Sequence, residues 1–346
     1  MTSYYIMAFL LPFILSYLLT PVAKKLAYKF GAIDVPKDDR RVHKTPIPRL
    51  GGFAIYLATT ITLLILAPRN STTLTILIAG SIIALSGMVD DIKPMSAKLK
   101  LAFQILAAVV IVGGGIKIDS ITVPAINQIL DLKIFAIPIT IFWIVGITNT
   151  LNLIDGLDGL SAGVSGISSL SFFFVAINMA SRLEDPTLMA FPILMALVVA
   201  GSAFGFLPHN FNPARIFMGD TGSLFLGFML SVIAIEGAMK SIAVVLIPLL
   251  VLGLPIFDTT FAIIRRIANK KPIMEADRGH LHHRLLDKGL SQKQTVLVLY
   301  TISLLLGTSG ILFSHLSIGV GWIVLLVVLT LLLSTARLTT REVKKK

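Results

Sequence analysis

The feature that most constrains this chain is a series of long apolar segments that carry almost no charge. Eleven such segments, each 17 to 21 residues long, follow one another between residues 3 and 336. An α-helix of about 20 apolar residues crosses a bilayer, and it satisfies its own backbone hydrogen bonds there. The sequence therefore predicts an all-α, polytopic membrane protein of about eleven transmembrane helices. The predicted spans are 3–22, 51–67, 73–89, 99–116, 134–150, 160–180, 187–206, 221–238, 241–261, 294–313 and 318–336.

Composition argues against a string of soluble domains. Charged residues make up only 14% of the 346 residues, and the mean hydropathy is +0.88, whereas soluble domains average about 25% charged residues. We therefore expect a single transmembrane domain over residues 1–346. The chain has no cysteine, which excludes disulfides, Fe–S clusters and cysteine-ligated zinc. No basic segment precedes the first apolar run, so we expect a retained span rather than a signal peptide.

The basic residues predict the orientation of the chain. Of the 30 Lys and Arg residues, 25 lie on one predicted face, in loops 23–50, 90–100, 207–220 and 262–293 and in the tail from Arg337. The positive-inside rule makes that face cytoplasmic. The N-terminus then lies outside the cell (inner) membrane, and the C-terminus lies on its cytoplasmic side. This bias explains the net charge of +12 better than nucleic-acid binding does. It also favours contact with anionic membrane lipids and anionic substrates.

One predicted external segment has a different pattern. In IKIDSITV, residues 116–123, apolar and polar residues roughly alternate. Alternation of this kind is typical of a strand. The pattern predicts a short β-ribbon at the outer surface.

Polar side chains collect at the predicted cytoplasmic ends of four spans. They lie in or beside loops 90–100, 149–160, 207–220 and 262–293, and they are Asp90, Asp91, Asn152, Asp155, Asp158, Asp220, Asp258, His280, His282, His283 and Arg284. Ionisable residues near the membrane interior are functional candidates by default. Because distant parts of the chain bring them to the same membrane face, we expect them to form one active site facing the cytoplasm.

For several of these residues a structural role stands beside the functional one. Asp90 and Asp91 fit a solvated helix end as well as a site. Asp220 fits a helix N-cap, a role that is compatible with ligand binding. The cluster at 280–284 fits a basic loop, although it holds three of the six histidines. Asp258 lies within a span, where it fits a pair with a nearby basic residue.

The chemistry that fits this set of side chains is phosphoryl transfer. Carboxylate and amide oxygens suit Mg²⁺, with Mn²⁺ as a substitute, and Mg²⁺ sites usually combine carboxylates with substrate phosphate. Surrounding cations neutralise charge on phosphate oxygens. The chain has no GxxxxGK[ST] motif, which excludes a P-loop ATPase. A site at the bilayer surface points to a lipid phosphate as second substrate.

Five motifs in order resemble the polyprenyl-phosphate N-acetylhexosamine-1-phosphate transferase family. They are HKTPIPRLGG (43–52), GMVDDIKPMSAKLK (87–100), TNTLNLIDGLDGL (148–160), NFNPARIFMGDTGSL (210–224) and DRGHLHHRL (277–285). The resemblance covers nearly the whole chain. It implies a Mg²⁺-dependent enzyme that transfers a sugar 1-phosphate from a UDP-sugar to polyprenyl phosphate and releases UMP.

The forms of the first and last motifs resemble the bacterial branch that uses UDP-GlcNAc and undecaprenyl phosphate. That branch starts O-antigen, enterobacterial common antigen or teichoic acid linkage. The alternative within the family is a phospho-MurNAc-pentapeptide transferase of peptidoglycan synthesis. A transporter of a phosphorylated solute is less consistent, because it predicts polar residues near the membrane midplane. A homodimer stays open.

The resemblance also implies roles on the donor side. Asp220 and Asn152 match metal-binding residues. Lys100 matches a lysine that contacts the diphosphate, and Lys44 lies in a motif with a phosphate role. Phe217 matches an aromatic residue that stacks on uracil.

The remaining matches concern the acceptor and the histidine-rich loop. Asp90 and Asp91 match a catalytic pair that acts on the acceptor phosphate or helps to hold the metal, and we assign the acceptor role to Asp90. His280 is the third catalytic candidate, in a loop that closes over the diphosphate and sugar. The other substrate-binding candidates are Asp155, Asp158, which lies near the uracil edge, His282, His283 and Arg284.

Overall fold

The computed structural model describes residues 2–35, 45–123, 128–239, 246–269 and 279–315, and these are mostly helical. The helices are α1 (Thr2–Phe30), α2 (Gly52–Leu66), α3 (Ser71–Ile92), α4 (Ala97–Gly113), α5 (Ala136–Ile154), α6 (Leu160–Ala180), α7 (Ala190–Asn210), α8 (Gly219–Ala234), α9 (Leu246–Val251), α10 (Gly253–Ala268), α11 (Leu281–Asp287) and α12 (Gln292–His315). A π-helical turn, Ile235–Met239, follows α8, and 3₁₀ turns at Lys133–Phe135 and Pro186–Met189 precede α5 and α7.

The prediction of a polytopic helical membrane protein is confirmed. Within the described ranges, seven helical segments are long and apolar enough to cross a membrane: Ser3–Phe30, Ser71–Ile92, Lys133–Ile154, Leu160–Ala180, Pro186–Asn210, Gly219–Gly237 and Gln292–Ser314. The helices at the predicted spans 51–67 and 99–116 are shorter, with 15 and 17 residues. The predicted span 318–336 lies outside the described residues.

The predicted span 241–261 is not one continuous helix. Its described part is divided between α9 and α10, which meet at Leu252. Proline has no N–H to donate to the carbonyl four residues earlier. Pro255 therefore cannot continue the helix from Val251, but it fits the first turn of a new one. The new helix is amphipathic and continues to Ala268, beyond the predicted end.

Helix α8 is the centre of the bundle. In the apolar segment that contains it, 89% of the residues are buried, and its main neighbours are α3 and α5. Glycines allow the backbones to approach closely: a Cβ at Gly87 would lie 2.6 Å from the backbone of Thr221, and one at Gly227 would lie 2.8 Å from Cα of Thr148. The end of α3 is therefore held directly against the start of α8.

Two short antiparallel ribbons complete the described fold. Ile33–Asp34 (β1) pairs with Ile47–Pro48 (β2) and joins the end of α1 to the start of α2. Ser120–Val123 (β3) pairs with Gln128–Asp131 (β4). The predicted ribbon is thus present, although it starts at Ser120 rather than 116. Its location outside the cell stays a prediction.

The contact between α3 and α8 predicts the effect of filling one glycine. Gly87→Ala should lower the free energy of unfolding by about 2 kcal/mol, because overpacked sites usually cost ~1–3 kcal/mol. Gly146→Ala on α5 is the matched control, since a Cβ there meets nothing within 4 Å. Thermal unfolding in detergent measures both variants. Equal stabilities of the two variants would contradict the tight contact.

Candidate active site

The carboxylate of Asp91, near the end of α3, caps the first turn of α8. Its Oδ1 accepts a hydrogen bond from the backbone N–H of Asp220 (2.9 Å), and its Oδ2 accepts from the backbone N–H of Thr221 (3.0 Å) and from the Thr221 hydroxyl (2.6 Å). The N–H groups of a first helical turn lack partners within the helix. The cap of this helix therefore comes from Asp91 on α3 and not from Asp220, as the sequence had suggested.

The residue before Asp220 must be glycine for this contact to form. Gly219 has φ +70°, a conformation that side chains disfavour. A Cβ at Gly219 would also lie 2.5 Å from Oδ2 of Asp91. Asp91 is 2% exposed, and its three hydrogen bonds give it a positioning role.

Lys100 joins two of the predicted carboxylates. Its Nζ lies 2.7 Å from Oδ2 of Asp220 and 3.0 Å from Oδ2 of Asp90. The other Asp90 oxygen accepts from the backbone N–H of Met95 (2.7 Å), while Ser96 caps α4 through the N–H of Leu99. The short loop between α3 and α4 thereby turns Lys100 back over the end of α3.

Asn152 approaches the same carboxylate from the last turn of α5. Its Nδ2 donates to Oδ1 of Asp220 (3.1 Å) and to Oγ of Ser223 (2.9 Å). One turn away, Gln104 on α4 and Asn149 on α5 exchange side-chain hydrogen bonds of 3.3 and 2.6 Å. This amide pair fixes the relative position of the helices that carry Lys100 and Asn152.

Asp155 directly follows α5, and its carboxylate has no hydrogen-bond partner in the described part of the chain. Burial raises its pKa to about 8, and the carboxylates of Asp220, Asp91 and Asp158 contribute to that rise. The negative charges that raise this pKa also make the region attractive to a cation. A bound cation would reverse the shift.

A cavity of about 410 Å³ opens beside these groups. Its lining joins the ends of several helices and loops: Asp34, Arg49, Asp91, Asn152, Asp155, Gly156, Leu157, Asp158, Asn210, Phe217, Met218, Gly219, Asp220, His283 and Gln292. Seven of the predicted site residues are among them. Lys100 contacts this lining through Asp220, and Asp90 is joined to it through Lys100.

Asp158 holds the loop between α7 and α8. Its Oδ2 accepts from Nδ2 of Asn212 (2.9 Å) and from the backbone N–H of Ala214 (3.0 Å). Asn212 also donates to Oε1 of Gln292 at the start of α12 (2.7 Å). These bonds set the position of the loop that leads to Phe217. One oxygen of Asp158 is therefore committed to structure.

The histidine-rich segment reaches the cavity through His283. His280 and His282 have parallel rings, 5.8 Å apart between centroids, and the ring of His282 lies 4.2 Å from that of His283. Burial lowers the pKa of His282 to about 3, with a further contribution from His283, so His282 is neutral. A Cβ at Gly156 would lie 2.5 Å from Nε2 of His282, which explains the glycine there.

The structure places the other candidates less centrally. Arg284 is partly exposed on α11 and is not part of the cavity lining. Lys44 lies outside the described residues. The carboxylate of Asp258 is hydrogen-bonded to His280, which is therefore the basic residue with which Asp258 pairs.

Some lining residues were missed by the sequence analysis. Arg49 donates from Nε to the backbone carbonyl of Asp91 (3.1 Å) and lines the cavity. It belongs to the HKTPIPRLGG motif, so that motif was a usable signal. Asn210 begins the NFNPARIFMGDTGSL motif, which was likewise a usable signal. Asp34 and Gln292 had no such signal, because the sequence does not show which loops meet.

The donor atoms at this site fit a magnesium ion bound partly by its substrate. Among the residues that the structure describes, no three His, Cys, Asp or Glu side chains form a closed metal site. Mg²⁺ usually binds one or two protein carboxylates and completes its shell with phosphate and water. Asp220 supplies a carboxylate, and Asn152 carries an amide oxygen beside it, although its Nδ2 faces Asp220 here. The ammonium of Lys100 shows that a cation is stable against Asp220.

Comparison with known proteins identifies relatives over most of the chain. The model of glycosyl transferase family 4 matches residues 73–238. The chain is 41% identical over 331 residues to a probable undecaprenyl-phosphate N-acetylglucosaminyl 1-phosphate transferase of Bacillus subtilis (strain 168), which covers 95% of this chain and 89% of the relative.

More distant relatives include two activities. A decaprenyl-phosphate N-acetylglucosaminephosphotransferase of Mycolicibacterium smegmatis is 32% identical over 311 residues, 83% of this chain and 76% of the relative. A phospho-N-acetylmuramoyl-pentapeptide-transferase of Desulfitobacterium hafniense is 31% identical over 329 residues, 88% of this chain and 95% of the relative.

Because Asp91 caps α8 and Asp90 does not, we expect substitutions of these two adjacent aspartates to have different effects. Asp91→Asn should lower the stability of the folded protein by about 1–2 kcal/mol, the usual range for a lost helix cap. Asp90→Asn should lower stability less, because its amide oxygen can still accept from the N–H of Met95, and it should reduce activity. Thermal unfolding and an activity assay on both variants measure this. Equal loss of stability in the two variants would contradict the different roles.

Proposed function

The chain belongs to glycosyl transferase family 4, among its polyprenyl-phosphate N-acetylhexosamine-1-phosphate transferases, and from this premise we propose its reaction. It transfers N-acetylglucosamine 1-phosphate from UDP-GlcNAc to undecaprenyl phosphate and releases UMP. The product, polyprenyl-pyrophosphoryl-GlcNAc, begins a cell-envelope polysaccharide. The higher identity to the Bacillus relative than to the pentapeptide transferase supports GlcNAc as the sugar.

The observation that carries this proposal is the contact of Lys100 with Asp220 and Asp90. An ammonium group between two carboxylates, at the edge of a cavity of about 410 Å³, fits a site for a diphosphate and its cation. Ligand cavities commonly measure ~300–1,000 Å³. When the diphosphate enters, Lys100 is placed to give up its ion pair with one carboxylate and to bind a phosphate oxygen instead.

Each side chain then has a defined task. Asp220 and Asn152 would hold Mg²⁺, which neutralises charge on the diphosphate oxygens when bound. Phe217 lines the cavity and offers its ring to uracil, on a loop that Asp158 holds in place. Asp90 orients the acceptor phosphate.

The transfer is a direct displacement. An oxygen of the acceptor phosphate attacks the β-phosphorus of UDP-GlcNAc, and the bond from that phosphorus to the bridging oxygen breaks, so that UMP leaves. Phosphomonoesters have a second pKa of about 6, so much of the acceptor is already a dianion at neutral pH. The protein therefore contributes mainly the positioning of the two phosphates.

Release of UMP tests the proposed reaction. The purified protein with undecaprenyl phosphate and Mg²⁺ should release UMP from UDP-GlcNAc faster than from UDP-MurNAc-pentapeptide or other UDP-sugars. EDTA should abolish release, and Mn²⁺ should restore it. Preference for the pentapeptide substrate would overturn the choice of sugar. If no donor releases UMP, the proposed reaction is wrong.

Isotope exchange tests direct displacement. Labelled UMP should not enter UDP-GlcNAc in enzyme that is free of lipid acceptor and product, because no phosphosugar is carried on the protein. Exchange that is efficient in the wild type and lost in Asp90→Asn would establish a covalent intermediate instead.

We also propose that residues 1–346 form one transferase domain in the cell membrane, with the site facing the cytoplasm and the N-terminus outside. The distribution of Lys and Arg supports this orientation. The absence of native cysteine makes single-cysteine labelling a direct test of it.

Four exposed serines give the labelling test. Cysteines at Ser71 and Ser181 should react with an impermeant thiol reagent in intact cells. Cysteines at Ser96 and Ser291 should react only after the membrane is permeabilised. The reverse pattern would contradict the orientation.

A further inference from the structure

We propose that Asp258 is a positioning residue that fixes the orientation of His280 and the ring nitrogen that carries its hydrogen. The proposal rests on the transferase function proposed above. Asp258 lies on α10 and His280 directly precedes α11, 22 residues further along the chain. Neither the motifs nor the spacing of the two residues in the sequence predicts that they are in contact.

Both oxygens of Asp258 hold the histidine segment. Oδ2 lies 2.8 Å from Nδ1 of His280, and Oδ1 accepts the backbone N–H of Leu281 at 2.7 Å. The side chains of Asp258 and His280 are 7% and 8% exposed. A buried carboxylate is costly without hydrogen-bonding partners, and here it has two from adjacent residues. The contact therefore fixes both the imidazole and the start of α11.

The contact also determines which ring nitrogen of His280 carries a hydrogen and which can accept a hydrogen bond. An ionised carboxylate only accepts hydrogen bonds, so Nδ1 of His280 carries a hydrogen. Nε2 has no hydrogen-bond partner in the described ranges, and it is the ring nitrogen that remains able to accept a hydrogen bond. Fixing the hydrogen on one ring nitrogen is a known way to set the function of the other.

The histidine row connects this contact to the cavity. The ring of His280 lies parallel to that of His282 at 5.8 Å, and His282 contacts His283, which lines the cavity. His282 in turn fits against Gly156 in the loop between Asp155 and Asp158. Asp258 is therefore placed to align the three histidines, His280, His282 and His283, with the loop from Asp155 to Asp158.

Asp258→Asn separates the two parts of this role. Its amide oxygen can still accept from the N–H of Leu281, but its NH₂ group would now face Nδ1 of His280 as a donor. Nδ1 would become an acceptor, and the hydrogen would move to Nε2. Asp258→Ala removes both bonds. Asp119→Asn is the matched control, since that carboxylate is exposed and pairs with Lys117 at 2.8 Å.

A double-mutant cycle in the UMP-release assay tests the proposal. Asp258→Asn and His280→Ala should each lower kcat by about 100-fold, within the range that a positioned proton-transfer group supplies. The double variant should show no further loss, because Asp258 acts through His280. Losses that multiply would overturn the proposal, and so would near-normal kcat in Asp258→Asn. Asp119→Asn should retain full activity.

Hydrogen–deuterium exchange of peptides from 279–287 keeps the test independent of activity. Asp258→Ala should speed exchange at the start of α11, whereas Asp258→Asn should retain protection together with its loss of kcat. Equal protection in wild type and Asp258→Ala would overturn the contact. If the wild type releases no UMP while the exchange pattern holds, the proposed function fails and the structural contact stands.

Discussion

The contact between Asp91 and the first turn of α8 is the interaction on which the rest of the site depends. The start of a helix exposes N–H groups and a partial positive charge, and here the N–H groups of Asp220 and Thr221 lie in the contact between α3 and α8. The carboxylate of Asp91 satisfies two of these N–H groups and accepts a third hydrogen bond from the Thr221 hydroxyl. Because that contact fixes Gly219 and Thr221, it also fixes the direction of Asp220 between them.

The charge balance around Asp220 indicates what this cluster of carboxylates can bind. Asp90 and Asp220 share Lys100, while Asp155 stands without a hydrogen-bond partner within the described residues and has a raised pKa. The protein supplies fewer positive than negative groups at this point. In the proposed reaction a divalent cation would offset this excess negative charge, and the same cation would bind phosphate oxygens of the substrate.

The sequence predicted those parts of the molecule that depend on local pattern. Long apolar runs predicted the membrane helices, and alternation predicted β3, although its partner strand at Gln128–Asp131 was not recognised. Thirteen of the fifteen residues of the cavity lining lie within the five motifs, and seven of them were predicted as site residues. The cap by Asp91 and the bond from Asp258 to His280 could not be predicted, because they depend on which helix ends meet in space.

Manganese binding measured by electron paramagnetic resonance tests the central claim most directly, namely that Asp220 and Asn152 hold a divalent cation together with the substrate diphosphate. Wild-type protein with UDP-GlcNAc should bind one Mn²⁺ per chain. Asp220→Asn should weaken that binding at least about tenfold, since even indirect metal contacts cost ~10–100-fold when removed. Asp119→Asn should bind as the wild type does. Unchanged Mn²⁺ affinity in Asp220→Asn would contradict the account.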